Sequence, residues 1–283
     1  MSFFGLFNYS KAGPGVSKDE PQKKAFFSFL DLYFRKFWLL IKLNLLYSIS
    51  LFILSIPFLF ILIPCLMSKV SPFSIVFFIS LLPLAFTGPF TAGFTYVLRN
   101  YVREEHVYLW SDYIETAKKN WKQGTVVALI NLIAVGVFAI ILPFYSERGN
   151  LTNAMGILSI LLLSMSILFL VVYVFMQFYI YVILITFDLK LKQIYKNAML
   201  FAFLSFWRNI LTAIFSGLFV ALFYLIPLTT LLIPIIVLST VGLIINFNVW
   251  PVIKKYMIDA NPENIVESKE QKSVFEDKGK TIK

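Results

Sequence analysis

The chain has 283 residues, of which 59% are hydrophobic and 14% charged, with a formal net charge of +10 and a mean hydropathy of +0.81. An ordinary globular domain carries about 25% charged residues, so this composition excludes a soluble globular protein. The single cysteine, Cys65, excludes a disulfide within the chain and a site of clustered cysteines.

Uncharged stretches long enough to cross a bilayer recur along the sequence, because a membrane helix needs about 20 apolar residues. The longest of them, 209–253, would extend about 68 Å as one helix, against a hydrocarbon core of about 30 Å. It must fold back, and we predict the turn at PLTTLLIP, where Pro227 ends a helix and Thr229 and Thr230 can bond freed backbone groups. The sequence thus predicts an all-α, polytopic membrane protein with six crossings, at about 43–67, 72–98, 124–144, 155–187, 209–226 and 231–253.

These crossings indicate one integral membrane domain over residues 1–258. The remaining segment, 259–283, contains five lysines and six acidic residues, a composition typical of disorder. We therefore expect a disordered tail after the last crossing.

Basic residues are distributed unequally between the two sides of the predicted bundle. Of the 25 lysines and arginines, only Lys69 and Arg148 fall in the loops of one side, and all the others fall on the opposite side. Because basic loops stay in the cytoplasm, this pattern predicts a cell-membrane protein with both termini cytoplasmic. Charge spread over every cytoplasmic connection argues against nucleic-acid binding and favours anionic lipid head groups as partners.

Aromatic and basic side chains also predict where helices meet the membrane surface. In LWSDYIETAKKNWKQG, 109–124, apolar residues recur every three or four positions, which predicts an amphipathic helix in the head-group plane with Gly124 allowing the bend into the next crossing. Similar segments at 23–38 and 191–207 suggest three units, each an interfacial helix followed by two crossings. The predicted interface anchors are Trp38, Trp110, Trp121, Trp207, Trp250, Lys118, Lys119 and Lys122.

Residues that carry chemistry are scarce. No Asp, Glu, Lys, Arg or His lies well inside a predicted crossing, and the single histidine, His106, cannot form a typical multi-ligand metal site. No phosphate-binding loop or nucleophile motif occurs, so we predict no enzyme and no catalytic, cofactor-binding or metal-binding residue. Five intramembrane amides are expected to bond neighbouring helices or, alternatively, to line a path for a neutral solute: Asn44, Asn131, Gln177, Asn246 and Asn248.

The second crossing contains FTGPFTAGFTYVL, in which Gly88, Pro89 and Gly93 weaken a helix. One interpretation is a kinked helix that a neighbour approaches closely. The other is a hinge or a broken helix beside a binding site.

The segments FNYSKAGPGVSKDEP, FRKFWLLIKLNLLY and FTGPFTAGFTYVLRNYVREEHVYLWSDYIETAKKNWKQG resemble the YesL-like family of bacterial membrane proteins of unknown function. The resemblance implies an association with carbohydrate uptake through ATP-driven transporters and with polysaccharide breakdown. It favours an accessory or assembly partner of a sugar permease or membrane sensor protein. The alternative is a transporter or facilitator of a small neutral solute such as an oligosaccharide.

Overall fold

A computed structural model of the chain describes residues 24–67, 81–149, 153–225 and 227–260. Of these residues 92% are helical and none lies in a strand, which confirms the all-α prediction. In chain order the helices are α1 (Ala25–Met67), α2 (Thr87–Val102), α3 (Leu109–Lys119), α4 (Trp121–Arg148), α5 (Ala154–Thr186), α6 (Leu191–Leu204), α7 (Phe206–Leu225) and α8 (Leu238–Ile253). The predicted tail beyond residue 260 and residues 72–80 of the second crossing lie outside the described residues.

Six helical segments in the described ranges are long and apolar enough to cross a membrane, in the order that the sequence predicts. The chain is therefore a multi-pass membrane protein. The segments are Ala25–Pro64, Leu81–Val102, Trp121–Arg148, Ala154–Thr186, Phe206–Leu225 and Thr229–Ile258.

Helix α1 differs from its prediction. The sequence pattern predicts an interfacial helix at 23–38 that is separate from the first crossing, whereas α1 runs without interruption from Ala25 to Met67. No glycine or proline occurs in this helix before Pro57, so nothing breaks the backbone hydrogen bonds between the two parts. The chain divides into two compact units between Arg35 and Lys36, and every contact described below lies within the second unit.

Helix α2 is the centre of the second unit. It packs against α3, α4, α5 and α8. In the most apolar stretch of the segment Leu81–Val102, which contains α2, half of the residues are buried, against 28% or less in the other five candidate membrane segments. The other helices therefore surround α2 and keep broad apolar faces on the outside.

Glycines allow this central position. A β-carbon built on Gly88 would lie 1.9 Å from the carbonyl oxygen of Gly124 in α4, and one built on Gly93 would lie 2.4 Å from the carbonyl oxygen of Tyr113 in α3. Such distances require glycine, because real β-carbons do not approach so closely. The backbones of α2, α3 and α4 therefore touch directly.

Pro89 lies in the first turn of α2, where the missing N–H would have no helical partner in any case. The interruption of the second crossing lies before it, at Phe86, where the N–H of Phe86 donates to the carbonyl oxygen of Pro83 over 3.2 Å. Gly88, Pro89 and Gly93 are all buried. Their surroundings match the closely packed interpretation, and a hinge at these residues stays a prediction.

The fold-back between α7 and α8 uses the residues that the sequence predicts. Pro227–Leu232 forms a short 3-10 helix and Ile233–Val237 a π-helical turn that leads into α8. The hydroxyls of Thr229 and Thr230 donate to the carbonyl oxygen of Phe223, over 2.9 and 3.4 Å. These bonds satisfy a carbonyl that the end of α7 leaves without a helical partner.

Candidate functional site

The predicted interface anchors have two different environments. Trp38, Trp110, Trp121 and Trp207 expose between 54% and 78% of their surface, and Lys118, Lys119 and Lys122 are exposed as well. Trp250 instead is half-buried, with the guanidinium groups of Arg99 and Arg103 over its ring at 6.0 and 4.8 Å. Trp250 thus contributes to packing inside the bundle.

The segment 109–124 forms α3 and the start of α4, with the bend at Asn120 and not at Gly124. Asp112 caps the start of α3, since its carboxylate accepts the N–H of Tyr108 over 3.0 Å. Tyr113 is fully buried and its hydroxyl donates to Ser50 in α1 over 3.0 Å. Burial raises the pKa of the Tyr113 phenol, and the hydrogen bond to Ser50 offsets this only in part.

Arg99 is the site residue that the sequence analysis misses. The charge pattern predicts that it lies in the loop after the second crossing, but it lies in the last turn of α2 and exposes only 6% of its surface. Its Nε and Nη2 donate to the Asn100 side-chain oxygen over 3.1 and 3.0 Å. Its Nη1 donates to the carbonyl oxygen of Ile185 over 3.3 Å and to the hydroxyl of Thr186 over 3.0 Å.

A buried arginine needs compensation for the loss of hydration. Arg99 receives it from the carboxyl end of α5, because Ile185 and Thr186 form the last turn of that helix, where the dipole is negative. The ring of Tyr96, 4.8 Å from the guanidinium carbon, adds a cation–π contact. The spacing of Tyr96 and Arg99, three residues apart on one helix, is the signal in the sequence that could have indicated this pairing.

A polar cleft of about 660 Å³ lies beside Arg99, where α3, α4 and α5 meet. The same Ile185 and Thr186 that bind Arg99 line this cleft. Its charged lining groups are Lys119, Lys122 and Asp188. The complete lining is Tyr96, Thr116, Lys119, Asn120, Trp121, Lys122, Gln123, Leu184, Ile185, Thr186, Phe187 and Asp188.

A second cavity, a groove of about 590 Å³, lies between α4 and α5 within the membrane-spanning region. Its polar residues are Asn131, Tyr173 and Gln177, and the hydroxyl of Tyr173 donates to the Asn131 side-chain oxygen over 2.5 Å. The amide nitrogen of Gln177 is buried and has no hydrogen-bond partner within the described part of the chain. The rest of the lining is apolar: Val135, Phe138, Ala139, Leu142, Pro143, Leu170 and Val174.

The other predicted amides do not join either cavity. Asn44 connects α1 to the start of α8, since its side-chain oxygen accepts the N–H of Ser239 over 2.9 Å and its amide donates to Ile233 over 3.3 Å. Asn246 and Asn248 donate to carbonyl oxygens four residues earlier in their own helix. The expected bonding between helices is therefore seen for Asn44 and Asn131.

His106 stacks edge-on against Tyr108, with ring centroids 4.6 Å apart. Over the described ranges no three His, Cys, Asp or Glu side chains are grouped so that they could hold a metal ion. Among the cavities of these ranges, the polar cleft and the α4–α5 groove combine polar side chains with room for a ligand or partner.

Comparison with known proteins adds a match to a protein family. The model of a family described as a protein of unknown function, DUF624, matches residues 70–141. The resemblance to the YesL-like family is consistent with that match. No curated protein and no solved structure matches the chain. The matched residues include α2, α3 and most of α4, and so include Arg99, both cleft lysines and Asn131.

Proposed function

We propose that this chain, which matches the DUF624 family over residues 70–141, is an accessory or assembly partner of a carbohydrate uptake or sensing system. In this proposal it lies in the bacterial cell membrane with both termini cytoplasmic and catalyses no reaction. Its partner is a sugar permease or a membrane sensor protein. The observation that carries the proposal is the α4–α5 groove, beside which the amide nitrogen of Gln177 makes no hydrogen bond within the described residues.

The chemistry of this groove suits a transmembrane helix. Seven of its ten lining residues are apolar, so most of an occupant's surface must be apolar too. On α4 the groove extends from Asn131 to Pro143, about 18 Å or three helical turns. A facing helix of a permease or sensor can cover that length.

Gln177 adds a requirement on that helix. An unsatisfied amide in hydrocarbon costs several kcal/mol, because no water is present to bond it. A partner helix that supplies a hydrogen-bond acceptor at this depth, such as a serine, threonine or asparagine side chain, would pair this nitrogen once the Gln177 side chain turns toward it.

Photo-cross-linking in native membranes tests this role. With p-benzoylphenylalanine in place of Val135, which lines the groove, we expect an adduct with a permease or sensor subunit. The same residue in place of Val137 is the control, because Val137 is exposed on α4 outside the groove. Adding Gln177→Leu should weaken the contact by about 1 kcal/mol and reduce the Val135 adduct about fivefold. Equal yields at the two positions, or adducts with lipid alone, would contradict the proposal.

One specific observation favours the alternative function. Asn131, Tyr173 and Gln177 place two amides and a phenol together, a combination that can bond the hydroxyls of a neutral solute. Proteoliposomes with the purified chain should then take up a labelled oligosaccharide, and Gln177→Leu should slow the uptake. Flux with these properties would replace the accessory role by a facilitator role.

Anionic lipid head groups are the proposed ligands of the polar cleft. Lys119 and Lys122 are both exposed, and the Lys122 ammonium lies 5.7 Å from the centroid of the exposed Trp121 ring, so a phosphate can reach both ammonium groups. The double variant Lys119→Gln/Lys122→Gln should weaken anionic lipid retention by about 1 kcal/mol per lysine, as measured by native mass spectrometry. The control, Lys192→Gln/Lys196→Gln in α6, changes the net charge equally but leaves the cleft intact. Equal losses in both double variants would show that only net charge matters.

A further inference from the structure

A basic pocket of about 480 Å³ lies where the end of α6 and the start of α7 meet the end of α8. Its charged lining residues are Arg208 and Lys255, and none of the described residues that line it is acidic. The Lys255 ammonium lies 5.1 Å from the centroid of the exposed Tyr256 ring, which also lines the pocket. Two cations therefore share one cavity without a counter-charge in its described lining. The pocket has no lining residue in common with the polar cleft.

Contacts of other residues hold this pocket in shape. The buried side chain of Asn209 in α7 donates to the carbonyl oxygens of Phe201 and Ala202 in α6, over 3.2 and 3.1 Å. These bonds fix the end of α6 against the first turn of α7. The rings of Phe201 and Tyr256, with centroids 6.2 Å apart, connect α6 to the turn after α8. The shape of the pocket thus does not depend on its two cationic side chains.

The guanidinium of Arg208 is available to an anion. Its side chain is half-buried, and within the described ranges the guanidinium donates no hydrogen bond. Arg99 differs, because its guanidinium donates to Asn100 and to the last turn of α5. A partly dehydrated guanidinium with free N–H groups favours a ligand that carries several negatively charged oxygens. A phosphate meets this requirement, since two of its oxygens can accept a pair of parallel N–H groups.

The rim of the pocket is apolar. Phe203, Leu204 and Trp207 line it and expose between 51% and 78% of their surface. The two cations lie near the ends of the candidate membrane segments Phe206–Leu225 and Thr229–Ile258, which is the level where hydrocarbon meets the head groups. A soluble phosphate ester has no apolar part to place against this rim, whereas a phospholipid has its acyl chains there.

We propose that the basic pocket binds the phosphate of an anionic phospholipid. Arg208 supplies paired N–H donors to the phosphate and Lys255 a second positive charge, while the acyl chains cover Phe203, Leu204 and Trp207. Basic pockets between membrane helices at the level of the head groups are places where such lipids bind. This site depends neither on the accessory role nor on the ligand proposed for the polar cleft.

Fluorescence quenching by brominated lipids tests the site with the full chain in phosphatidylcholine liposomes that contain a minority of phosphatidylglycerol. The signal of Trp207 is the difference between the wild type and Trp207→Phe. We expect phosphatidylglycerol with brominated acyl chains to quench this signal several-fold more than the same amount of brominated phosphatidylcholine.

Variants of the two cations connect the excess quenching to the pocket. Lys255→Gln should weaken the binding of phosphatidylglycerol about fivefold, and Arg208→Gln by at least as much. Lys254→Gln is the matched control, because Lys254 is an adjacent exposed lysine that does not line the pocket, and it should retain the excess. Lys255 is exposed as well, so its substitution leaves the fold intact.

Equal quenching by the two brominated lipids in the wild type would overturn the proposal, as would equal losses in Lys254→Gln and Lys255→Gln. Soluble glycerol 3-phosphate should leave the excess unchanged; if it abolished the excess, the pocket would take a phosphate ester from solution and the assignment to a lipid would be wrong. The cleft variant Lys119→Gln/Lys122→Gln should not change the Trp207 signal. Failure of this site is therefore distinguishable from failure of the lipid site proposed in the polar cleft.

Discussion

Gly88→Leu should prevent the protein from folding, because no space exists for any side chain at this position. The β-carbon alone would lie 1.9 Å from the Gly124 carbonyl oxygen and 2.4 Å from its carbon. These are backbone atoms of α4, which cannot move aside as a flexible side chain can. Overpacking costs 1–3 kcal/mol where side chains adjust, so we expect a loss of more than about 3 kcal/mol in the free energy of unfolding.

The measurement is unfolding in mixed micelles with increasing SDS, followed by tryptophan fluorescence. Gly136→Leu makes the same chemical change in a helix glycine with nothing within 4 Å, and should cost little. If the two variants unfold at the same SDS fraction, the direct contact of α2 with α4 is not what stabilises the bundle. A hinge at Gly88 predicts a different result, a folded protein with altered function.

Arg99→Ala should produce the second large loss, about 3 kcal/mol in the free energy of unfolding. It removes charge-assisted hydrogen bonds to Asn100, Ile185 and Thr186, each contributing about 1.5–3 kcal/mol. The desolvation of the buried charge, which is relieved at the same time, reduces the net effect. The end of α5 would lose its contact with α2, and the wall of the polar cleft would lose its support.

Two further variants test whether the loss of stability depends on the guanidinium group of Arg99 itself. Arg99→Lys keeps the charge but not the planar guanidinium with its several N–H donors, so we expect an intermediate loss in the free energy of unfolding. Arg103→Ala removes a neighbouring arginine that also stacks on Trp250, but its side chain is 33% exposed and pairs with Glu105. That variant should cost about 1 kcal/mol or less. Equal stabilities of Arg99→Ala and Arg103→Ala would contradict a structural role specific to Arg99.

The environment of Arg99 also explains why the charge pattern does not predict its position. When charged residues are taken as the limits of the crossings, the second crossing ends before Arg99, because placing an arginine in hydrocarbon is costly. The structure removes the cost locally, through the carboxyl end of α5 and the rings of Tyr96 and Trp250. Ile185 lies 86 residues from Arg99, a separation that no local pattern reveals.

For helix α3 the sequence predicts the helix and its apolar face but not what that face contacts. Its spacing predicts an amphipathic helix with Tyr113 and Ala117 on the apolar face, and both side chains are buried. The spacing of apolar residues around a helix does not show whether its apolar face packs against lipid or against protein. The contact between Gly93 and the Tyr113 backbone shows that the apolar face of α3 packs directly on α2.

The sequence by itself determined the class of this protein, the number and order of its apolar helices and the turn before α8. Those features depend on the solvation of each segment, and solvation follows from the local composition. Tertiary structure alone decided that α2 lies at the centre, that Arg99 is buried, and that Gln177 and Ser216 have polar atoms without partners in the described chain. The physical reason is that lipid accepts any apolar helix face equally well, so the arrangement of the helices depends on close backbone contacts and on hydrogen bonds between residues far apart in sequence.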